Sequence, residues 1–194
     1  MYSKFLKRTI DFLLSLVIII VLSPFFLLLV ILGAITMKGN PFFTQLRIGK
    51  NEKIFRLIKF RTVACNTDAD ANPLLDEQPL SPYGKFLRST SLDAFPELFN
   101  ILKGDMAIVG PQPLSESDMV FMTKEHRRRY TVRQGMTGLA QVSGCNAETW
   151  MDKLDYDVRY VQNLSFMVDF FIVLKAIEMV LERERSTEEE KVFK

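Results

Sequence analysis

An aspartate at the start of a predicted helix is the residue of this chain best suited to phosphate chemistry. Asp93 follows the polar segment 88–91 by two residues. A helix N-terminus carries partial positive charge and unpaired N–H groups, so it stabilises a carboxylate and also binds phosphate. Carboxylates act as phosphoryl nucleophiles and as Mg²⁺ ligands. An aspartate in a first helical turn more often only stabilises its helix, so the position alone leaves both interpretations open.

Basic side chains elsewhere in the chain could neutralise a diphosphate near this carboxylate. Lys59, Arg61 and Arg88 are the candidates, because guanidinium and ammonium groups are the usual side-chain ligands of phosphate. Glu97 follows Asp93 by four residues and shares its face of the predicted helix. Two interpretations of Glu97 stay open: a second acid of the site, and a solvated helix residue.

Composition narrows the classes of function. The chain has 194 residues, a formal net charge of +2 and a single basic run at 127–129, so nothing favours a nucleic-acid partner. It has two cysteines, Cys65 and Cys145, and one histidine, His126. That inventory argues against a disulfide framework, a zinc site and a Ser-His-Asp triad, and it favours a reducing compartment. We expect His126 to be a surface residue beside the arginines.

An uncharged stretch at residues 12–37 is long enough to enter a bilayer as a helix. Ser23-Pro24 lies near its middle, and proline kinks or breaks a helix. Basic residues flank the stretch on both sides, although the positive-inside rule needs only one cytoplasmic end. A re-entrant helix that turns at Ser23-Pro24 satisfies both flanks, with the Ser23 hydroxyl bonding a carbonyl freed at the break. A proline-kinked true span is the alternative.

The residues that follow predict a small hairpin and then a loop. Residues 42–49 and 53–60 read as two strands around a polar turn. Residues 64–82 are polar and contain three prolines, which predicts a mobile loop that could act as a lid.

The segment that contains Asp93 predicts a helix at residues 91–103. Ser91 is a good N-cap, and Gly104 is a good end residue. Because proline is tolerated in the first turn, Pro96 places the start of the helix near Leu92 or Asp93. A short buried run that ends in a rigid turn follows at residues 106–113.

Two further helices are predicted near the C-terminus, at residues 147–162 and 165–183. The second is the more amphipathic, with an apolar stripe of Phe166, Phe170, Leu174, Ile177 and Leu181. Such a helix can lie in the bilayer interface or face a protein core, and the pattern leaves both possibilities open. The charged tail from Glu182 is expected to be disordered.

Three blocks of the sequence carry dense motifs. Residues 84–113 read G-x-x-L-R-x-x-S-L-D-x-x-P-x-L-x-N-x-L-K-G-D-M-x-x-V-G-P-x-P. Residues 133–144 read R-x-G-x-T-G-L-A-Q-V-x-G, and residues 59–62 read K-F-R-T. The basic N-terminus with a Ser-Pro-broken apolar helix is a fourth feature. Together they resemble the signature of the bacterial sugar transferases, the small monotopic phosphoglycosyl transferases.

The resemblance implies transfer of a sugar 1-phosphate from a UDP-sugar to undecaprenyl phosphate, which starts bacterial glycan assembly. It implies that Asp93 is both the nucleophile, through a covalent phospho-aspartate, and the Mg²⁺ ligand. It also implies that the N-terminal helix is re-entrant. Phosphate and nucleotide binding is expected from Lys59, Arg61, Arg88, Gln112 and Arg133.

The sequence departs from the family pattern where the chemistry is concentrated. The position of the usual catalytic glutamate is Ala94, and Gln112 stands where the family has arginine. The second block has Gln134 in place of proline and Cys145 near its end. Neutral glutamine cannot replace the charge of a guanidinium. Glu97 is therefore considered as a substitute acid, and a catalytically degenerate member that binds or regulates partners is the alternative.

The expected architecture is an α+β monotopic membrane protein of the cytoplasmic face of the bacterial inner membrane. A re-entrant helix covers residues 1–38, and a cytoplasmic catalytic-type domain with a hairpin and interfacial helices covers 39–183. A charged tail covers 184–194. The expected partners are a UDP-sugar, undecaprenyl phosphate and membrane lipids, with a homodimer and downstream glycosyltransferases as further partners to consider, and no nucleic acid.

Overall fold

The computed structural model describes residues 2–63, 81–143 and 149–192. Most of the predicted loop at 64–82 and both cysteines, Cys65 and Cys145, lie outside these residues. The last two loop positions, Ser81 and Pro82, begin a helix instead. Ser81 is its N-cap and accepts from the backbone N–H of Gly84, and Pro82 occupies the first turn.

The described residues form six α-helices and four short strands, which confirms the mixed helix-and-strand class. The helices are α1 (Lys7–Met37), α2 (Pro82–Ser89), α3 (Glu97–Lys103), α4 (Leu139–Val142), α5 (Trp150–Gln162) and α6 (Phe166–Val192). The strands are β1 (Phe42–Ile48), β2 (Ile54–Phe60), β3 (Met106–Val109) and β4 (Gln134–Thr137). A π-helical turn at Tyr2–Leu6 precedes α1, and 3₁₀ helices lie at Lys50–Glu52, Leu92–Ala94, Ser117–Phe121 and His126–Thr131.

The predicted hairpin is confirmed. β1 and β2 pair antiparallel, from Phe42 opposite Phe60 to Ile48 opposite Ile54. Its turn includes Asn51 in the left-handed region, with φ of 56°, a conformation that asparagine tolerates better than most residues. The hairpin sets Lys59 at the end of β2.

The second sheet was not predicted. β3 pairs parallel with β4, and Met106 lies opposite Gln134. The backbones at Gly110 and Gly135 come so close that a Cβ on Gly135 would lie 2.1 Å from the Gly110 nitrogen. Two glycines therefore permit this contact between segments that are far apart in sequence.

Helix α1 continues through Pro24 as one helix, so the predicted break into two helices is absent. Proline at position 24 cannot donate to the Ile20 carbonyl four residues earlier. The Ser23 hydroxyl donates to that carbonyl at 2.8 Å, which confirms the predicted compensation for the lost backbone bond. Among the described residues, α1 is the one helix long and apolar enough to cross a membrane.

The two halves of α1 pack against the same small domain, while residues 20–25 between them are all exposed. In the first half, Arg8 donates to the Ile101 and Leu102 carbonyls at the end of α3. In the second half, Phe26 packs against Phe95, just before α3. Eighteen residues of straight helix would separate positions 8 and 26 by about 27 Å, far more than the length of α3. A bend of helix α1 between the two contacts would bring its two halves this close together.

The N-terminal end of α1 is joined to α6 by a buried polar cluster that was not predicted. The Asp169 carboxylate accepts from Lys7 at 2.6 Å, from Tyr2 at 2.5 Å and from Tyr160 at 2.7 Å. Asp11 accepts from the backbone N–H of Ile108 on β3 at 3.3 Å. The cluster joins the start of α1 to α6, and Asp11 joins α1 to β3.

Helix α6 differs from the prediction in two ways. It continues to Val192, so the expected disordered tail is wrong for residues 182–192. Its apolar stripe faces outwards: Phe170, Leu174 and Ile177 are each about half exposed, whereas Ile172 is fully buried. The core-facing alternative is therefore wrong for the stripe, which the described part of the chain leaves uncovered.

Around α5, one prediction holds and one fails. Helix α5 lies within the predicted range 147–162 and begins with a capping box formed by Thr149 and Asp152. His126 is only 9% exposed and its Nε2 lies 3.1 Å from Asp155, so the expectation of a surface histidine is wrong. The 3₁₀ helix His126–Thr131 packs against α5, and that contact covers the ring.

Candidate functional site

Asp93 lies in a short 3₁₀ helix rather than in the first turn of an α-helix. The 3₁₀ helix covers Leu92–Ala94, and α3 begins only at Glu97, with Pro96 as its N-cap. Ser91 does not cap through its side chain; it is left-handed, with φ of 57°. Such strain in a non-glycine residue often marks a functional segment. The predicted end at Gly104 is confirmed. Asp93 is partly exposed, so its carboxylate can meet a ligand.

Glu97 is a buried, paired carboxylate, so its interpretation as a solvated helix residue is wrong. It is 4% exposed, and its Oε1 lies 3.2 Å from Nζ of Lys59. The side chain of Lys59 is 35% exposed. The Lys59 ammonium group therefore lies between the buried Glu97 carboxylate and the protein surface, at the end of β2.

The electrostatic setting of Glu97 links it to Asp93. Burial raises the pKa of the Glu97 carboxyl to about 7, while Lys59 opposes the rise and the negative charge of Asp93 adds to it. The two acids therefore lie close enough to repel each other. A carboxyl with a pKa near neutrality can hold or release a proton at physiological pH.

Asn100 fixes α3 against β2 and thereby fixes Glu97 against Lys59. Its side-chain amide donates to the Arg56 carbonyl at 2.7 Å and accepts from the Ile58 N–H at 3.0 Å. The residue is 2% exposed. The Asn100 side-chain amide thus bonds the backbone of β2 as a neighbouring strand would. In the sequence, Asn100 is marked only as one position of the family motif.

Arg61 and Arg88 lie on elements that adjoin Asp93. Arg61 follows β2, and its Nε donates to the Val63 carbonyl at 3.2 Å. Arg88 lies in the last turn of α2 and is exposed. Both α2 and β2 contact the 3₁₀ helix that contains Asp93. The structure therefore brings the elements of Lys59, Arg61, Arg88 and Asp93 together.

Gln112 and Arg133 are placed elsewhere. The Gln112 backbone carbonyl accepts from Arg129, a buried arginine that pairs with Asp157 at 2.9 Å. The side chain of Gln112 is exposed. Arg133 donates through Nε to the Gly104 carbonyl at 2.9 Å. That contact lies at the C-terminal end of α3, about 10 Å of helix from the end that follows Asp93. Phosphate binding by these two residues stays a prediction.

Asp93 is the described residue considered as a magnesium ligand. The described residues contain no group of three or more His, Cys, Asp or Glu side chains that could hold a metal. Mg²⁺ usually binds through one or two carboxylates together with water and substrate phosphates. A partly exposed aspartate such as Asp93 fits that kind of site.

Comparison with known proteins assigns the chain to a family. The profile of the family described as "Bacterial sugar transferase" matches residues 2–183. The chain belongs to the bacterial sugar transferase family. Its sequence is 39% identical over 181 residues to the uncharacterised sugar transferase EpsL of Bacillus subtilis strain 168, covering 92% of this chain and 89% of that protein. The resemblance inferred from the motif blocks is confirmed.

Two further relatives of this sugar transferase are named for a reaction. The undecaprenyl-phosphate galactose phosphotransferase of Salmonella typhimurium is 34% identical over 200 residues, which cover 94% of this chain and 42% of that protein. The UDP-glucose:undecaprenyl-phosphate glucose-1-phosphate transferase of Klebsiella pneumoniae is 35% identical over 181 residues, which cover 88% and 39%. The chain therefore spans less than half of each.

Proposed function

We propose that this sugar transferase moves a sugar 1-phosphate from a UDP-sugar to undecaprenyl phosphate, as a first step of bacterial glycan synthesis. The observation that carries the proposal is the partly exposed Asp93 near the ion pair of partly exposed Lys59 and buried Glu97. The names of the Salmonella and Klebsiella relatives supply the substrate class.

In the proposed reaction, Asp93 is the nucleophile. A carboxylate oxygen attacks the β-phosphorus, the bond from that phosphorus to the bridging oxygen breaks, and UMP leaves with the electron pair. An oxygen of the lipid phosphate then attacks the same phosphorus and releases Asp93 as a free carboxylate. Two displacements thus give the polyprenyl diphosphate sugar and UMP.

Positive charge around Asp93 supports binding of the diphosphate. Lys59, partly exposed beside Glu97, is a ligand for phosphate oxygens. Arg88 at the end of α2 adds a guanidinium from the neighbouring element. Asp93 would also hold Mg²⁺, whose charge would offset that of the diphosphate.

Glu97 is proposed as the acid that substitutes for the missing carboxylate at position 94. It contacts Lys59, and its pKa is raised by burial and, to a smaller extent, by the charge of Asp93. A protonated Glu97 would pass its proton, through its contact with Lys59, to the phosphate oxygen on which UMP leaves, which is general acid catalysis near neutral pH. Ala94 has no group that could do this.

The alternative is a catalytically degenerate member that binds nucleotide sugar, lipid or a partner enzyme. Ala94 and Gln112 are the observations that favour it, because both positions lack the charged group of the family pattern. Such a protein would bind a UDP-sugar without releasing UMP.

We also propose that α1 dips into the cytoplasmic leaflet and returns to the same face. The exposed residues 20–25 would form the tip, and the contacts of Arg8 and Phe26 with the same small domain support this arrangement. The half-exposed apolar stripe of α6 would lie in the interface.

Cysteine labelling from each side of the membrane tests the re-entrant arrangement. In a background with Cys65→Ser and Cys145→Ser, Phe5→Cys and Lys50→Cys place thiols at two exposed positions on either side of α1. We expect an impermeant reagent to label both from the cytoplasmic side. Labelling from opposite sides would establish a true span.

The transfer itself is tested by measuring UMP release. The chain is incubated with Mg²⁺, undecaprenyl phosphate and a panel of UDP-sugars, in parallel with Asp93→Asn. We expect UMP from at least one donor and none from the variant, because an amide is a poor nucleophile. Binding of UDP-sugar without any release of UMP would establish the degenerate alternative.

A further inference from the structure

Phe26 is the most connected aromatic residue of the membrane helix. Its ring lies 5.3 Å from that of Phe95 and 5.5 Å from that of Phe60, between centroids. It also contacts Phe42 at 6.2 Å and Phe99 at 5.5 Å. Aromatic pairs at these distances attract each other beyond their apolar burial.

Two of these contacts lie next to residues of the candidate site. Phe60 follows Lys59 on β2, and successive side chains of a strand point to opposite faces. Phe95 lies between Asp93 and Glu97 in the chain. Both phenylalanines are buried, with 2% and 7% exposure. Phe26 therefore contacts the apolar side of both segments that carry the site.

The same gap between β2 and α3 is bridged twice. On the apolar side, Phe26 contacts Phe60 of β2, Phe95 just before α3 and Phe99 within α3. On the polar side, Lys59 reaches across to Glu97. The amide of Asn100 holds the two elements together farther along. A change in the width of the gap at Phe26 therefore changes the distance between Lys59 and Glu97.

We propose that Phe26 is a positioning residue that sets the Lys59–Glu97 pair from inside the membrane helix. It acts as a spacer between Phe60 and Phe95, and it transmits the position of the second half of α1 to the site. This inference deepens the proposed function, because the pair it positions is the proposed proton and phosphate-binding group. The pairing itself can be measured without turnover.

Phe25 offers a matched control on the same helix. It is 38% exposed and forms no ring pair among the described residues. Phe26→Ala and Phe25→Ala remove the same atoms from adjacent positions. Phe26→Leu keeps an apolar spacer. Sedimentation with vesicles of phosphatidylethanolamine and phosphatidylglycerol, together with circular dichroism, checks that each variant is folded and membrane-bound.

The first readout is the rate of acylation of Lys59 by an amine-reactive ester at fixed pH, mapped by mass spectrometry. We expect Phe26→Ala to raise this rate several-fold, Phe26→Leu to restore most of the wild-type protection, and Phe25→Ala to leave it unchanged. Glu97→Gln should raise it as well. In the Glu97→Gln background, Phe26→Ala should add nothing further, since both changes break one pairing.

The second readout is UMP release. We expect Phe26→Ala to lower kcat by on the order of tenfold to a hundredfold, with little change in KM for the UDP-sugar, because misplacement by about 1 Å can cost this much. Equal acylation of Lys59 in Phe26→Ala and Phe25→Ala would overturn the proposal. Altered acylation in a chain that releases no UMP would sustain the positioning role and refute the enzymatic function separately.

Discussion

At the residue scale, Glu97 is the side chain whose setting most changes the view of this protein. The chain lacks a carboxylate at position 94, yet it places a buried acid one turn farther along, in contact with Lys59. Burial alone would keep this acid neutral, and the nearby ammonium partly offsets that effect. The result is a proton that can be exchanged near neutral pH.

Replacing Glu97 with glutamine tests its role as an acid. A carboxyl that must be protonated is lost as pH rises through its pKa, so wild-type UMP release should fall above about pH 7. Glu97→Gln should slow turnover on the order of a hundredfold and remove this limb of the pH profile. Adding Ala94→Glu to Glu97→Gln should restore activity.

Glu125→Gln is the control, because that carboxylate is 66% exposed and lies 3.6 Å from Arg128 in a surface ion pair. We expect it to match the wild type. A Glu97→Gln variant with wild-type turnover and an unchanged pH profile would show that Glu97 is not the acid.

At the element scale, the site depends on how α3 is held against the end of the hairpin. Asn100 bonds both a donor and an acceptor of β2, and Arg8 covers carbonyls at the opposite end of α3. A seven-residue helix has little stability of its own. Its position therefore comes from these contacts and from burial of Leu98 and Ile101.

Asn100→Asp tests this clamp without changing the shape of the side chain. The carboxylate loses the donor to the Arg56 carbonyl and becomes a buried charge, so we expect a loss of about 2–3 kcal/mol in the free energy of unfolding. Chemical denaturation in detergent measures it. The same change at exposed Asn163, whose amide bonds the Arg159 carbonyl, should cost well under half as much. Equal losses at the two positions would contradict the clamp.

At the scale of the whole molecule, the start of α1 and the start of α6 meet in one buried cluster. Lys7 precedes the long apolar stretch and Asp169 lies in α6, and their side chains are 10% and 9% exposed. Tyr2 and Tyr160 complete the hydrogen bonds of the carboxylate. The cluster therefore holds the start of α1 against α6, the helix whose apolar stripe is exposed.

Asp169→Asn should destabilise the protein strongly, because it removes the carboxylate that pairs with the buried Lys7 ammonium at 2.6 Å. A loss of about 3–5 kcal/mol is expected for breaking a buried pair in this way. Asp155→Asn is the control, since its side chain is 60% exposed, and it should cost about 1 kcal/mol or less. Chemical denaturation in detergent compares the two. Similar losses in both variants would show that the cluster is not a main contribution to the free energy of unfolding.

Local pattern was enough to predict the hairpin, the end of α3 at Gly104, the range of α5 and the long apolar helix, because each depends on periodicity or on turn residues close in sequence. Family motifs supplied the candidate role of Asp93. Three-dimensional packing was needed for the burial of Glu97, since an i+4 spacing does not reveal which strand covers the helix. It was needed equally for Asp169 and for the β3–β4 pair, whose partners lie far apart along the chain.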